Sequence, residues 1–316
     1  MREIKVEKND SEQRLDRFLM KYLPKAPSHL LQKYIRKKRI KVNKKRAQAD
    51  QILKEGDQIY FYIYEEELTK YEVNRKREIK NIQLDVVFEN EDICIMNKPV
   101  DKLSHPASKE DYGKTMVDDF ISYLILKKEY FPRMEKTFVP ALANRLDRNT
   151  SGLIVGCKNK EALSYYNDLF KDRKVKKYYR SICKGKMKDQ KIQLSLTKDE
   201  EKNKVLIHKE GKKALTLVKV LESNPDFSYI EIELITGRTH QIRAHLSEIG
   251  HPLIGDQKYG DPKINALFKK EELFHQLLHS YALEMEMGPL KGQLIKGKLP
   301  DQFKRIHDKL FGEEND

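Results

Sequence analysis

The chain has 316 residues, length enough for two domains and a sizeable core. Lysine and arginine number 63 against 49 aspartate and glutamate, and the resulting net charge of +14 favours a polyanionic partner, most simply nucleic acid. No apolar run approaches membrane-spanning length and the first residues lack a signal peptide's apolar core, so a cytoplasmic protein with no membrane partner is expected. Cys94, Cys157 and Cys183 lie far apart in apolar contexts. They offer neither a disulfide framework nor a zinc spacing, and buried free thiols are expected.

Along the chain, Leu15, Phe18, Leu19 and Tyr22 recur at helical spacing, and Pro24 and Pro27 end that helix. Ser28 suits the N-cap of a second helix with Leu30, Leu31, Tyr34 and Ile35 on its apolar side. A short strand over 40–42 leads to a turn at Asn43-Lys44, and Gly56-Asp57 marks another turn before a strand over 58–63. Between Ser28 and Arg46 lie Lys33, Arg36, Lys37, Lys38, Arg39, Lys41, Lys44, Lys45 and Arg46, with no acidic residue. Charge runs are usually solvated faces, but one this dense and free of counter-charge reads as a phosphate-tracking surface. The first domain is placed at 1–63, and the Glu-, Lys- and Arg-rich stretch 64–81 reads as a charged linker.

From Leu84 onward strands dominate, at 86–88, 93–96, 153–155 and 229–234, with helical patterns near 161–170, 238–249 and 301–311. Strands and helices do not alternate strictly, so the second domain, 82–311, is assigned to the α+β class, and the acidic tail 312–316 is expected to fray.

The most informative segment is Asn144-Arg145-Leu146-Asp147-Arg148-Asn149-Thr150-Ser151-Gly152. In an extended stretch Arg145 and Asp147 would share a face, and a guanidinium about 4 Å away is worth roughly 4 kcal/mol at an effective dielectric of 20 before desolvation. That would keep Asp147 ionised, as a nucleophilic carboxylate must be. Spacing alone favours a structural ion pair closing a turn, because such pairs outnumber catalytic ones. The segment, however, resembles the Arg-Leu-Asp motif of RluA-type pseudouridine synthases, with Asn144 where that pattern has His and Asn149 where it commonly has Asp. Lys98-Pro99 with Ser104-His105-Pro106 resembles the family's first motif, with Asp101 where Gly is usual; His105 is given no catalytic role. Thr236-Gly237-Arg238-Thr239-His240-Gln241-Ile242-Arg243 resembles a further motif whose last arginine pairs with the catalytic aspartate. Leu278-His279 resembles a later one that walls the pocket.

The resemblance covers residues 13 to about 287 and implies a small N-terminal α-L RNA-binding domain. After it comes a mixed, mostly antiparallel sheet with a central cleft and Asp147 on its floor. It maps catalytic roles onto Asp147, Tyr179 and Arg243, and substrate contacts onto Arg145, Lys177 and Leu278. Strand alternation over 173–179 puts Val175, Lys177 and Tyr179 on one face, and the family pattern selects Tyr179 over Tyr178. Arg243 is expected at the edge of a stripe formed by Ile242, Leu246 and Ile249, without deep burial. His240 and His245 are five apart, which lacks zinc spacing, so no metal is expected.

The implied reaction breaks a uridine's N-glycosidic bond and rejoins the uracil through carbon-5, with no cofactor. The implied substrate is large-subunit ribosomal RNA, with a lean toward the RluC-type branch and a monomeric enzyme. A non-catalytic RNA-binding or ribosome-assembly protein and a carboxylate-dependent nucleoside hydrolase are the competing readings. The second is disfavoured because glycosidases use two carboxylates about 5–9.5 Å apart and Asp147 has arginines as sequence neighbours.

Overall fold

The structure, a computed structural model, describes residues 1–72, 82–132, 136–199 and 204–312. The chain forms two compact units. One comprises Met1–Ile82, Phe120–Ala141 and Lys158–Leu163, the other Gln83–Asp119, Leu142–Cys157 and Ser164–Asp316.

The first unit begins with β1 (Arg2–Lys5), β2 (Gln13–Arg14), α1 (Leu15–Tyr22) and α2 (Ser28–Arg36). It continues with β3 (Ile40–Val42), β4 (Lys45–Arg46), β5 (Ile52–Leu53), β6 (Gln58–Phe61) and α3 (Glu65–Tyr71). The order β1-β6-β3-β4 makes a small antiparallel sheet, and β2 pairs with β5. Leu15, Phe18, Leu19, Leu31, Tyr34 and Ile35 close over Ile40, Val42, Ile59 and Phe61, so the helical spacings read from sequence are the core face. Asn43 and Lys44 both take positive φ, 51° and 63°, as a two-residue hairpin with the right twist requires. Three expectations need correction. Pro27 occupies the N-cap position of α2 and Ser28 makes no capping bond there, the strand stops at Phe61, and part of the stretch taken for a linker is helical. Leu68 of α3 is buried in the core; residues 73–81 lie outside the described ones. Buried Asp10 holds the segment after position 135 by accepting the N–H groups of Lys136, Thr137 and Phe138 and the Thr137 hydroxyl.

The second part of the chain adds β7 (Val86–Glu89), β8 (Ile93–Lys98), α4 (Met116–Leu126), β9 (Ala141–Leu142), β10 (Ser151–Cys157) and α5 (Lys160–Lys171). Then come β11 (Val175–Lys184), β12 (Gln190–Asp199), β13 (Lys204–Ile207), β14 (Lys212–Ser223) and β15 (Phe227–Leu234). The last elements are α6 (Gln241–Glu248), α7 (Pro262–Leu267), β16 (Leu278–Met285), β17 (Leu294–Lys296) and α8 (Asp301–Phe311). The long sheet runs β13-β12-β14-β15-β11-β16-β10-β8-β7, with β17 beside β16 and β9 beside β10. β10 runs parallel to β16, while the pairs from β13 to β16 and from β10 to β7 are antiparallel, in line with the expected α+β class.

β10 is buried at all seven positions because it is central and covered on both faces. On one face of β11 and β15, Tyr179, Ile230, Ile232 and Leu234 pack against Ile242 and Leu246 of α6. On the other, Ile182, Phe227 and Tyr229 meet Phe303 and Ile306 of α8. Cys94, Cys157 and Cys183 are buried thiols, as the spacing implied.

Two buried histidines make this unit acid-sensitive. His245 Nδ1 lies 3.0 Å from Thr216 Oγ1, and His279 Nδ1 2.8 Å from Ser151 Oγ; burial pushes the first down to about 4 and the second to about 3. Unfolded histidines protonate near 6.5, so the stability these neutral rings contribute is complete above that pH and is lost as pH falls toward their folded values. Lowering the pH from 7 to 5 should cost about 2 kcal/mol for each ring. Urea midpoints at the two pH values should diverge accordingly, and the loss should shrink by about 2 kcal/mol in His245→Gln.

Candidate active site

Asp147 stands in the loop entering β10, and buried polar groups fix that loop from below. The Ser104 hydroxyl donates to the Leu146 carbonyl (2.9 Å) and accepts the Leu146 N–H (3.1 Å). Asn144 accepts the Val155 N–H at 2.8 Å and donates to the Leu153 carbonyl at 3.3 Å, so the residue that replaces the expected histidine ties the loop to β10. Lys98 is 1% exposed and spends its three N–H bonds on the carbonyls of Pro99, Lys102 and Arg148, at 2.9, 2.7 and 2.8 Å. Burial pushes its ammonium down to about 7, against the upward pull of Asp147 and Asp101. Asp101, where glycine is usual, has φ +60°, a left-handed conformation that aspartate tolerates better than most residues. Gly152 has φ +114°, and a Cβ there would sit 2.3 Å from the Ser280 carbonyl oxygen, so the close parallel approach of β10 to β16 needs glycine.

The cation facing Asp147 is Arg243. Its Nη1 lies 3.5 Å from Asp147 Oδ2, while Nε and Nη2 bind Asp256 bidentately at 2.6 and 2.8 Å. Asp256 Oδ1 also accepts the N–H groups of Lys258 and Tyr259, at 2.9 and 3.0 Å. Burial works against charge on Asp256, but Arg243 outweighs it and holds the carboxyl below the usual range; Arg243, penalised by the same burial, is raised by Asp256 and then Asp147. Three expectations therefore change. Arg243 is buried, because Asp256 compensates it, and α6 starts at Gln241. Arg145 is not the partner of Asp147: residues 147–150 form a turn, closed by Thr150 N–H donating to the Asp147 carbonyl at 3.1 Å, and Arg145 is exposed. Its charge acts instead on His105, which burial and then Arg145 hold below the ordinary histidine range.

His240 Nε2 lies 3.8 Å from Asp147 Oδ2, and His240 Nδ1 lies 3.0 Å from the Tyr259 hydroxyl. The Arg243 guanidinium stacks 5.1 Å from the Tyr259 ring centre. Tyr179 is 7% exposed on the face of β11 that carries Val175 and Lys177, opposite Ser280 of β16. Burial, followed by the charge of Asp147, pushes its phenol up to about 12, so it is neutral at pH 7. Tyr178 points the other way and donates to Glu284 at 3.2 Å. Lys177 reaches toward Gly237, its ammonium 3.9 Å from where a Cβ would stand there. Leu278 is buried with Leu146 and Tyr179 in one cluster. Asp147, Tyr179 and Arg243 thus share one site, with Lys177 near the Thr236–His240 turn and Leu278 beneath. The sequence alone assigns no role to Asp256, Tyr259, His240 or Lys98. The signal for Asp256 was a lone acid in Gly255-Asp256, with no local hint of its partner 13 residues earlier.

Asp256 is a second carboxylate near Asp147, as a hydrolase would need, but its side chain is fully buried and saturated by four N–H donors. It cannot serve as a general acid.

Residues 92–248 match the RNA pseudouridylate synthase family and residues 13–59 the S4 domain. An uncharacterised RNA pseudouridine synthase of Mycoplasma genitalium is 31% identical over 88% of this chain and 87% of its own. The chain belongs to the RNA pseudouridine synthase family. A ribosomal large subunit pseudouridine synthase C of Buchnera aphidicola is 30% identical over 98% of this chain and 97% of its own. Among solved structures, human RNA pseudouridylate synthase domain containing 4 shares the fold, with a TM-score of 0.56 and 23% identity over 71% of this chain and 92% of that one. The resemblance drawn from the Arg-Leu-Asp motif holds, and the protein is an isomerase acting on RNA. No helix among the described residues is long and apolar enough to cross a membrane.

In this synthase the Arg243–Asp256 pair is the buried support of the site. Asp256→Ala would strand the guanidinium and should cost about 3–5 kcal/mol in urea unfolding, with the pseudouridylation rate falling as well. A loss below 1 kcal/mol would mean that Arg243 finds other compensation.

Proposed function

We propose that this RNA pseudouridine synthase acts on large-subunit ribosomal RNA through Asp147, with Arg243 holding and orienting its carboxylate. The observation that carries the reading is the asymmetry of the site: Asp147 keeps 35% of its side chain open while Arg243 behind it is 7% exposed and locked by Asp256. A half-open carboxylate against a fixed cation can meet a substrate without losing its orientation. Tyr179 offers a neutral ring for stacking on the uracil, worth roughly 1–3 kcal/mol per base, and a hydroxyl for the carbon-5 proton step. Arg145, exposed beside the site, fills the space left by the flipped nucleotide, since base chemistry within a helix requires extrusion. Lys177 contacts RNA at the rim and Leu278 backs the pocket.

Ribosomal RNA is the substrate favoured by the name of the Buchnera relative, which aligns over nearly its whole length. The S4 domain would supply affinity. Lys33, Arg36, Lys37, Lys38, Arg39, Lys44, Lys45 and Arg46 are exposed, and Lys41, half-buried, lies 4.9 Å from the Tyr62 ring centre. None of these nine cations is within 4 Å of an acid among the described residues, so they are free for phosphate. The enzyme is proposed to work as a monomer in the cytoplasm.

Asp147→Asn should abolish tritium release from RNA labelled at uracil carbon-5 while leaving RNA affinity nearly unchanged, because the amide is isosteric but not anionic. Tyr179→Phe should slow single turnover by about 10²- to 10⁴-fold with near-normal affinity, and Tyr178→Phe should matter little. Full activity in Asp147→Asn would remove that residue from the mechanism. Neutralising Arg36, Lys38 and Arg39 together should weaken binding across RNA sequences and flatten the salt dependence by about one unit per lost phosphate contact. Single-turnover rates at saturating RNA should hardly move.

A further inference from the structure

Arg243 and His240 address the same oxygen of Asp147. Arg243 Nη1 is 3.5 Å and His240 Nε2 3.8 Å from Oδ2. We propose that His240 is a positioning residue for Asp147: in its Nε2–H tautomer it presents a proton to Oδ2 beside the Arg243 guanidinium, and so leaves Oδ1 as the oxygen that engages the uridine. The proposal rests on the reading of Asp147 as the reactive carboxylate.

The tautomer follows from the hydrogen bonds behind the ring. The Val205 N–H, which can only donate, lies 2.7 Å from the Tyr259 hydroxyl oxygen, so that oxygen accepts. The remaining partner of the hydroxyl among the described residues is His240 Nδ1 at 3.0 Å, so the phenolic proton goes there and the imidazole proton sits on Nε2. Tyr259 keeps its proton because burial pushes its phenol up. The groups facing His240 are Asp147, Arg243, Lys258, Asp256 and Tyr259. Burial dominates among them and holds the ring below the ordinary histidine range, so near neutral pH His240 is an uncharged donor. A second full cation beside Arg243 would bind the carboxylate more tightly and lower its basicity.

The backbone is built to aim this ring. His240 takes φ 50° and ψ 18°, a left-handed conformation uncommon outside glycine, and its carbonyl accepts the Ala244 N–H at 2.9 Å as the first bond of α6. The turn before it is fixed by Gln241 Oε1, which accepts the Arg238 N–H at 3.1 Å and the Thr236 hydroxyl at 2.7 Å. The ring packs edge-on to Tyr259, with centres 5.6 Å apart and planes at 72°. A separation of 3.8 Å is longer than a hydrogen bond, and such contacts in substrate-free sites commonly tighten when substrate binds.

The test uses the full chain and a transcript of large-subunit ribosomal RNA labelled with tritium at uracil carbon-5. Long-range proton–nitrogen correlation spectra of histidine-labelled enzyme, assigned with His240→Gln, read the tautomer directly. The expected result is Nε2–H in the wild type and a shift toward Nδ1–H in Tyr259→Phe. At saturating RNA, His240→Ala should slow single turnover by about 10- to 100-fold with unchanged RNA affinity, and His240→Gln, whose amide N–H can reach the same oxygen, should recover most of the rate. An Nδ1–H tautomer in the wild type, or a wild-type rate in His240→Ala, overturns the proposal. If His240→Ala fails to fold, Tyr259→Phe decides, because a shifted tautomer with no loss of rate is equally fatal. Asp147→Asn is run in parallel. An inactive Asp147→Asn with an unimpaired His240→Ala sinks the positioning role alone, whereas an active Asp147→Asn sinks the reading of the site beneath it.

Discussion

Arg243 carries a permanent positive charge into a place nearly closed to water, and the arrangement around Asp147 depends on how that charge is met. Asp256 meets most of it with two parallel hydrogen bonds, and the Lys258 and Tyr259 N–H groups hold Asp256 in turn. A bidentate guanidinium–carboxylate pair fixes direction as well as distance, which a lysine at the same position could not do. With two of its nitrogens committed to Asp256, Nη1 is left facing Asp147. The isomerase thus separates two tasks that one ion pair would confuse. Asp256 neutralises and orients the arginine, and Asp147 stays half-open.

The same logic extends outward. Lys98 gathers three carbonyls beneath the Asp147 loop, Ser104 clasps Leu146 from both sides, and Gly152 lets β10 lie close against β16. β16 in turn places Ser280 opposite Tyr179. Buried polar groups hold geometry when they are satisfied, as the three N–H bonds of Lys98 and the hydroxyl of Ser104 are. On the proposed reading, in which no external group accepts atoms or electrons, holding the Asp147 carboxylate and the Tyr179 ring in place would be the substance of the catalysis.

How much of this was legible in the sequence varies with how local the determining interaction is. The α1 and α2 faces could be read because Leu15, Phe18, Leu19, Leu31, Tyr34 and Ile35 obey one helical period between proline boundaries. The register of β11 could be read because strand alternation and the family pattern agreed on Tyr179. The Arg145–Asp147 pairing misled because Arg145 is left exposed and the guanidinium that faces Asp147 is that of Arg243, brought there by α6. Strands β12 and β14 were passed over because their lysines and half-exposed positions blur the alternation, and α4 because its apolar run lacks a clear period. The role of Asp256 had no local trace at all, since its meaning depends on a guanidinium brought to it by the fold.

Asp256 is expected to act on catalysis through Arg243 and not merely on stability. The most direct measurement is single-turnover pseudouridine formation by Asp256→Asn, at a temperature where circular dichroism shows the variant fully folded and at saturating RNA. The rate should be lower by about 100-fold or more with unchanged RNA affinity, because the arginine loses the charged partner that aims it at Asp147. A folded Asp256→Asn enzyme turning over at the wild-type rate would contradict it.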